Sequence, residues 1–199
     1  MRIKIQRFGY GTALAIAVGV FALEMTASYQ TNSQALYADA WHVFGDTIPL
    51  MLGWYALRAR ARGENTDQVE EWVSLTNILF LLLVGIVVGV GGLFRLWWPE
   101  PVYSGTVVVV AIIGAVGNLC QIFIAKGLSG AHAHSHTAQG QVAHFFSDFL
   151  SSIAVITGAV FVWFGLVQGD AVAAIIVAGL ILLLAHKLYE DLDHEAHPH

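Results

Sequence analysis

The strongest constraint on this chain is a series of six long apolar segments separated by short polar stretches. Each segment has about 20 residues or more, the length that an α-helix needs to cross a bilayer. Charged residues make up only 12% of the sequence, whereas a soluble domain has about 25%. We therefore predict an all-α membrane protein with six transmembrane helices. They cover roughly residues 9–29, 35–57, 72–97, 102–126, 141–167 and 170–189.

The connections between the segments are too short to hold a soluble domain, so we interpret residues 1–190 as one transmembrane transport domain. Residues 191–199 form a short tail rich in histidine and acidic residues. Of the nine Lys and Arg, only Arg95 lies on the side away from the N-terminus. This bias predicts cytoplasmic termini in a multi-pass protein of the bacterial inner membrane. The alternative of a cleaved signal peptide at residues 1–24 is disfavoured by its long apolar run and by Glu24 at its end.

Two of the apolar segments carry the same polar motif, His-x-x-x-Asp. It consists of His42 and Asp46 in the second segment, and of His144 and Asp148 in the fifth. A spacing of four places both side chains on one helix face, one turn apart. If the two helices face each other, two imidazole nitrogens and two carboxylate oxygens meet, which is a tetrahedral donor set for Zn²⁺. The cation would also neutralise carboxylates that are costly to bury in a bilayer.

Asp39 precedes His42 by three residues on the same helix face. We predict an accessory role for it, either as the acceptor of a hydrogen bond from a ligating imidazole or as a staging carboxylate. Other interpretations exist for such residues. A single intramembrane histidine can be a hydrogen-bonded helix contact, and a pair of aspartates can form a proton relay. The repetition of one spacing on two segments favours the metal site.

These motifs resemble those of the cation diffusion facilitators, a family of proton-coupled exporters of zinc-type cations with six spans and cytoplasmic termini. The stretches "ALYADAWHVFGD" and "VAHFFSDFLSSIAVI" look like the family's motifs in its second and fifth spans. The similarity covers nearly the whole chain and includes residues of family-typical kinds at Glu24, Asn77, Asn118 and Asp170. The resemblance implies that the two His-x-x-x-Asp pairs form the transport site. It also implies that a histidine at position 42 favours zinc over cadmium.

We therefore expect a secondary transporter that exports divalent cations, chiefly Zn²⁺, from the cytoplasm in exchange for protons by alternating access. Ligation needs neutral imidazole and ionised carboxylate, so metal and protons compete for the site. Zn²⁺ is then a transported substrate and not a prosthetic group, and Cd²⁺, Co²⁺ or Ni²⁺ could also bind. A passive metal channel or a membrane metal sensor is the main alternative. An intramembrane metallohydrolase is less well supported, because no HExxH motif is present, and we expect no enzyme activity.

Family members usually continue into a cytoplasmic ferredoxin-like domain that supports dimerisation, whereas this sequence ends after its sixth apolar segment. We therefore expect a homodimer held by the helices themselves, since small residues permit close helix packing in lipid. The third segment is the best candidate for this contact because of Gly85, Gly89, Gly91 and Gly92. Pro49 predicts a kink in the second helix just beyond the metal site.

Further histidines lie outside the apolar segments. His132, His134 and His136 precede the fifth segment. They are candidates for weak cytoplasmic metal capture, with a polar linker as the alternative. The net charge of −5 gives no indication of a nucleic-acid partner. The partners expected are a divalent metal ion, protons, the lipid bilayer and a second copy of the chain.

Overall fold

The computed structural model describes residues 2–129 and 136–196. These residues form six α-helices and no strand. The helices are α1 (Arg2–Thr31), α2 (Gln34–Arg60), α3 (Asp67–Trp97), α4 (Ser104–Ser129), α5 (His136–Trp163) and α6 (Gly169–Ala196). Each predicted segment corresponds to one helix. α5 ends before the predicted limit of residue 167, because the chain turns at Gly165, whose φ of +92° suits a residue without a Cβ.

Five helices, namely α1, α3, α4, α5 and α6, are long and apolar enough to cross a membrane. α2 is of similar length, with 27 residues. It is less apolar because it carries the first His-x-x-x-Asp motif and Asp39 among its hydrophobic residues. The prediction of an all-α membrane protein is thus confirmed, and α2 is the helix that apolar composition alone does not identify as a span.

α2 lies inside the helical bundle and packs against α1, α3, α5 and α6. Much of the apolar core around it consists of small side chains, such as Ala35 and Ala38 of α2 and Ala174 and Ala178 of α6. Small residues bring helix backbones close together, and this packing holds membrane helices together where lipid offers no hydrophobic driving force. The polar residues of α2 therefore face other helices.

The glycines of α3 pack within the chain. A Cβ atom at Gly85 or Gly92 would come within 2.8 Å of a side chain of α6, and Gly89 also faces α6. Gly91 faces the first residue of α2. The glycines expected to contact a second copy are therefore used to join α3 to its own neighbours, and the homodimer itself stays a prediction.

Pro49 lies within α2 and does not end it. Its ring removes the backbone hydrogen bond to residue 45, yet the helix continues from Gln34 to Arg60. Gly45 lies at this weakened turn, and a Cβ atom there would come 2.7 Å from the Leu81 side chain of α3. The missing Cβ thus lets α2 approach α3 beside the predicted ligand Asp46.

A polar cluster around Asp170, which we call the Asp170 cluster, joins the helices where α1 turns into α2. The Asp170 carboxylate accepts hydrogen bonds from the Ser33 hydroxyl at 2.5 Å and from the Gln34 backbone N–H at 2.8 Å. Ser33 is also the N-cap of α2. Arg95 of α3 lies 3.7 Å from the same carboxylate and donates to the Asn32 carbonyl at 2.6 Å. The start of α2 is thereby tied to α3 and α6.

Candidate metal centre

The two predicted motifs meet between α2 and α5. His42, Asp46 and Asp148 are buried, and the His144 side chain is 12% exposed. The first three each offer one ligand atom, and these atoms lie within 4.8 Å of one another. The fourth, His144, contacts the Asp46 carboxylate through Nε2. The structure therefore brings together all four side chains that the sequence predicts as ligands.

Each histidine of the centre lies beside the aspartate of the other helix. His42 Nε2 is 3.3 Å from Asp148 Oδ1, and His144 Nε2 contacts Asp46 Oδ1. The centroids of the two imidazole rings are 6.3 Å apart. In this crossed pairing, α2 and α5 each contribute one imidazole and one carboxylate, and each imidazole lies beside the carboxylate of the other helix.

Several atoms of this group make no hydrogen bond within the described part of the chain. They are Nδ1 and Nε2 of His42, Oδ2 of Asp46 and Oδ1 of Asp148. Buried polar atoms in proteins are nearly always hydrogen-bonded, and leaving one unpaired costs about 1–3 kcal/mol. A divalent cation would supply the missing partner, and imidazole nitrogen with carboxylate oxygen is a donor set that Zn²⁺ accepts. The residues present therefore fit a divalent cation.

Asp39 is also buried, but both of its carboxylate oxygens accept hydrogen bonds, unlike several atoms of the candidate ligands. Its Oδ1 accepts a hydrogen bond from the Ser151 hydroxyl and its Oδ2 accepts one from the Ser152 hydroxyl at 3.0 Å. Ser152 in turn accepts a hydrogen bond from Asn118 Nδ2 of α4 at 3.2 Å. The sequence analysis did not single out these serines, although both follow Asp148 by about one turn on α5. Asp39 therefore ties α2 to α5.

The outlying histidines that the sequence suggests for weak metal capture cannot be placed relative to this centre. His132 and His134 lie outside the described residues, and so does the side chain of His136, where α5 begins. The predicted tail begins within a helix, because α6 continues through residue 191 as far as Ala196. Residues 197–199 lie outside the described part of the chain.

A comparison of the sequence with family models identifies the family of the chain. The model of the cation efflux transmembrane domain matches residues 12–191. The chain is a member of the cation efflux family. Members of this family are transporters. This cation efflux protein is therefore not an enzyme, as predicted, and the metallohydrolase alternative is excluded.

Three bacterial relatives extend the comparison. Zinc transporter ZitB of Escherichia coli (strain K12) is 25% identical over 190 residues, which cover 92% of this chain and 60% of that protein. The cadmium, cobalt and zinc/H(+)-K(+) antiporter of Bacillus subtilis (strain 168) is 28% identical over 183 residues, covering 88% and 58%. Metal cation efflux system protein CzcD of Cupriavidus metallidurans is 28% identical over 177 residues, covering 85% and 55%.

The cation efflux protein thus spans at most 60% of the length of these three relatives. Its five apolar helices and its bacterial relatives make it a multi-pass integral protein of the bacterial inner membrane, as the sequence analysis predicted.

Proposed function

We propose that this protein exports divalent metal cations, chiefly Zn²⁺, in exchange for protons. The observation that carries the proposal is the buried group of His42, Asp46 and Asp148, whose ligand atoms lie within 4.8 Å of one another, with His144 against Asp46. The names of two relatives, a zinc transporter and a cadmium, cobalt and zinc antiporter, support this class of substrate. Cd²⁺, Co²⁺ and Ni²⁺ are the competing substrates.

Exchange with protons follows from the chemistry of these ligands. A metal ion needs neutral imidazole and ionised carboxylate, so every proton bound by the group competes with the ion. Each histidine lies beside an aspartate of the other helix, and such a pair can share a proton when no ion is present. A cation that enters displaces protons, and protons that arrive from a more acidic side displace the cation.

We further propose that α2 crosses the membrane together with the other five helices. A helix of 27 residues is about 40 Å long, which exceeds the hydrocarbon thickness of about 30 Å. Its polar residues Asp39, His42 and Asp46 are buried against other helices, so lipid does not have to solvate them. Six spans place both termini on one side, and the basic residues favour the cytoplasm for that side.

Alternating access would change the contact between α2 and α5, because each of these helices supplies two of the four ligands. Movement of one helix relative to the other would open the centre towards one side of the membrane at a time, as rocking of helix groups does in other transporters.

The test is zinc flux in proteoliposomes that contain the purified chain, measured with an imposed pH gradient and without one. We expect zinc to accumulate in vesicles with an acidic interior while protons leave. Asp148→Asn should abolish this flux, whereas Asp191→Asn, the same change at an exposed position of α6, should not. Zinc flux that is the same with and without the pH gradient would indicate a passive channel. Absence of flux in the wild type would contradict the proposed transport.

A further inference from the structure

Glu24 of α1 is a buried carboxyl group that the metal centre does not use. Its side chain has 0% exposure, and neither of its oxygens has a hydrogen-bond partner within the described part of the chain. It is also absent from the group of ligand atoms around His42. An ionised carboxylate is very costly to bury without a partner, most of all at membrane depth. Glu24 is therefore expected to have a chemical role.

The surroundings of Glu24 leave room for its carboxyl group. A Cβ atom at Gly114 of α4 would collide with Glu24 Oε1 and would lie 3.7 Å from Ser152 Oγ. Glu24 thus lies beside the hydrogen-bonded series in which Asn118 donates to Ser152 and Ser152 donates to Asp39. Glu24 is next to the polar groups that support the metal centre.

The charged groups that face Glu24 are acidic. The acidic residues nearest to it on the neighbouring helices are Asp39 of α2, which is reached through Ser152, and Asp148 of α5. α4, which also packs against α1, has Lys126 as its sole charged residue, about three turns beyond Gly114. The described helices around Glu24 therefore provide no side-chain cation to balance an ionised carboxylate.

We propose that Glu24 is a proton-binding site coupled to the metal centre. With no cation bound, the neighbouring carboxylates make ionised Glu24 unfavourable, so the group keeps its proton. A divalent cation at Asp148 reverses the local charge and stabilises the ionised form. The O–H bond of Glu24 then breaks, the electron pair stays on the carboxylate, and the proton passes to water. This site deepens the proposed exchange and rests on it.

The test counts the protons released when zinc binds. Calorimetric titration of the full chain with Zn²⁺ in buffers of different ionisation enthalpy gives this number, because metal binding and proton release are linked. Glu24→Gln should bind the same number of zinc ions and release up to about one proton fewer per ion. Glu24→Asp keeps a carboxyl group and should release as many protons as the wild type. Glu71→Gln, the same change at an exposed position, should also match the wild type.

An unchanged proton count in Glu24→Gln would overturn the proposal. If the wild type binds two zinc ions and Glu24→Gln binds only one, the proposal would be overturned as well, because Glu24 would then be a cation ligand. If Glu24→Gln does not fold, Glu24→Met has a similar length and no charge, and the same reduced proton count is expected. The proton count tests Glu24, whereas zinc flux tests the proposed transport. If the chain binds zinc and releases protons but shows no zinc flux, the proposed function is contradicted and the role of Glu24 is not.

Discussion

Among single residues, the difference between a ligand and a supporting group lies in their hydrogen bonds. His42 and Asp39 are equally buried, at 0% exposure. Neither ring nitrogen of His42 makes a hydrogen bond within the described residues, although Nε2 lies 3.3 Å from Asp148 Oδ1. Both oxygens of Asp39, by contrast, accept hydrogen bonds from serines of α5. The unpaired atoms are the ones that an incoming ion can bind, so His42 is expected to determine which ion is preferred.

His42→Asp should broaden the selectivity of the centre. The change leaves one imidazole and three carboxylates, and the shorter side chain gives more room to the larger cadmium ion. We expect the ratio of zinc to cadmium flux to fall, because ligand type and geometry decide which ion a site prefers. Parallel flux measurements with the two ions check this, with His186→Asp at an exposed position as the control. An unchanged ratio would count against His42 as a selectivity ligand.

Asp39→Asn should weaken zinc binding without removing it. The amide keeps the shape of Asp39 but loses the charge and one acceptor for the serine hydroxyls, and changes of this kind beside a metal site cost about 10–100-fold in affinity. Asp46→Asn removes a ligand and should abolish binding. Zinc titration of both variants decides the roles. An equal loss of zinc affinity in Asp39→Asn and Asp46→Asn would indicate that Asp39 is itself a ligand.

The four candidate ligands could be chosen from the sequence because a spacing of four is a local property of a helix, and its repetition at His42 and His144 implied a partner. Their role in binding metal stays a prediction. The roles of Ser151 and Ser152 could not be predicted in this way. They depend on the rotation of α5 against α2, which is decided by packing with helices distant in the sequence. The same packing separates Asp39 from the candidate ligands, although Asp39, His42 and Asp46 of α2 all have helical spacing.

Among the helices, the contact of α5 with α6 determines where two of the ligands lie. A Cβ atom at Gly158 of α5 would come 2.6 Å from the Gly169 carbonyl oxygen and 2.5 Å from Ala173 Cβ of α6. One of these atoms is backbone and the other is a Cβ atom fixed to the backbone, so neither can move aside as the end of a flexible side chain does. His144 and Asp148 are on the same helix as Gly158, so this contact helps to position them.

Gly158→Ala should therefore destabilise the protein by about 1–3 kcal/mol, the usual cost of overpacking. Gly179→Ala provides the matched control, because a Cβ atom at that position of α6 meets nothing within 4 Å. In a helix interior that change stabilises by up to about 1 kcal/mol. Thermal unfolding in detergent measures both variants. Similar Tm values for the two would contradict the close contact.

The existence of six helices could be predicted from apolar length, but two properties of these helices could not. α2 is too polar to be identified by hydropathy, and only its motif marks it as part of the bundle. The glycines of α3 suggested contact with a second copy, yet they face α6 and α2. Sequence shows that a helix has a small-residue face, whereas the partner of that face is set by the arrangement of all the helices.

Across the whole molecule, two groups of polar side chains in the described part of the chain lie at different places in the bundle. The metal centre lies between α2 and α5, and the Asp170 cluster joins α3, α6 and the start of α2. α2 contributes to both, because Ser33 and Gln34 begin the helix that carries His42 and Asp46. The cluster therefore anchors one end of the helix that holds half of the ligands.

Asp170→Asn should reduce stability while zinc binding is retained. The amide cannot accept from Ser33 and the Gln34 N–H as the carboxylate does, and the loss of buried hydrogen bonds of this kind costs about 1–3 kcal/mol. The unfolding temperature should fall, whereas the number of zinc ions bound should not change. Glu100→Gln, at an exposed position beside Arg95, should have a much smaller effect. Equal stability of Asp170→Asn and the wild type would show that the cluster does not anchor α2.

The coordination of the bound ion tests the central claim most directly. X-ray absorption at the zinc edge, with one equivalent of Zn²⁺ bound to the purified chain, should show two imidazole nitrogens and carboxylate oxygens at about 2.0–2.2 Å. His144→Ala should lose one imidazole from this spectrum, and His186→Ala should lose none. A wild-type spectrum without imidazole, or a wild-type spectrum that neither His42→Ala nor His144→Ala changes, would contradict a zinc ion held between α2 and α5.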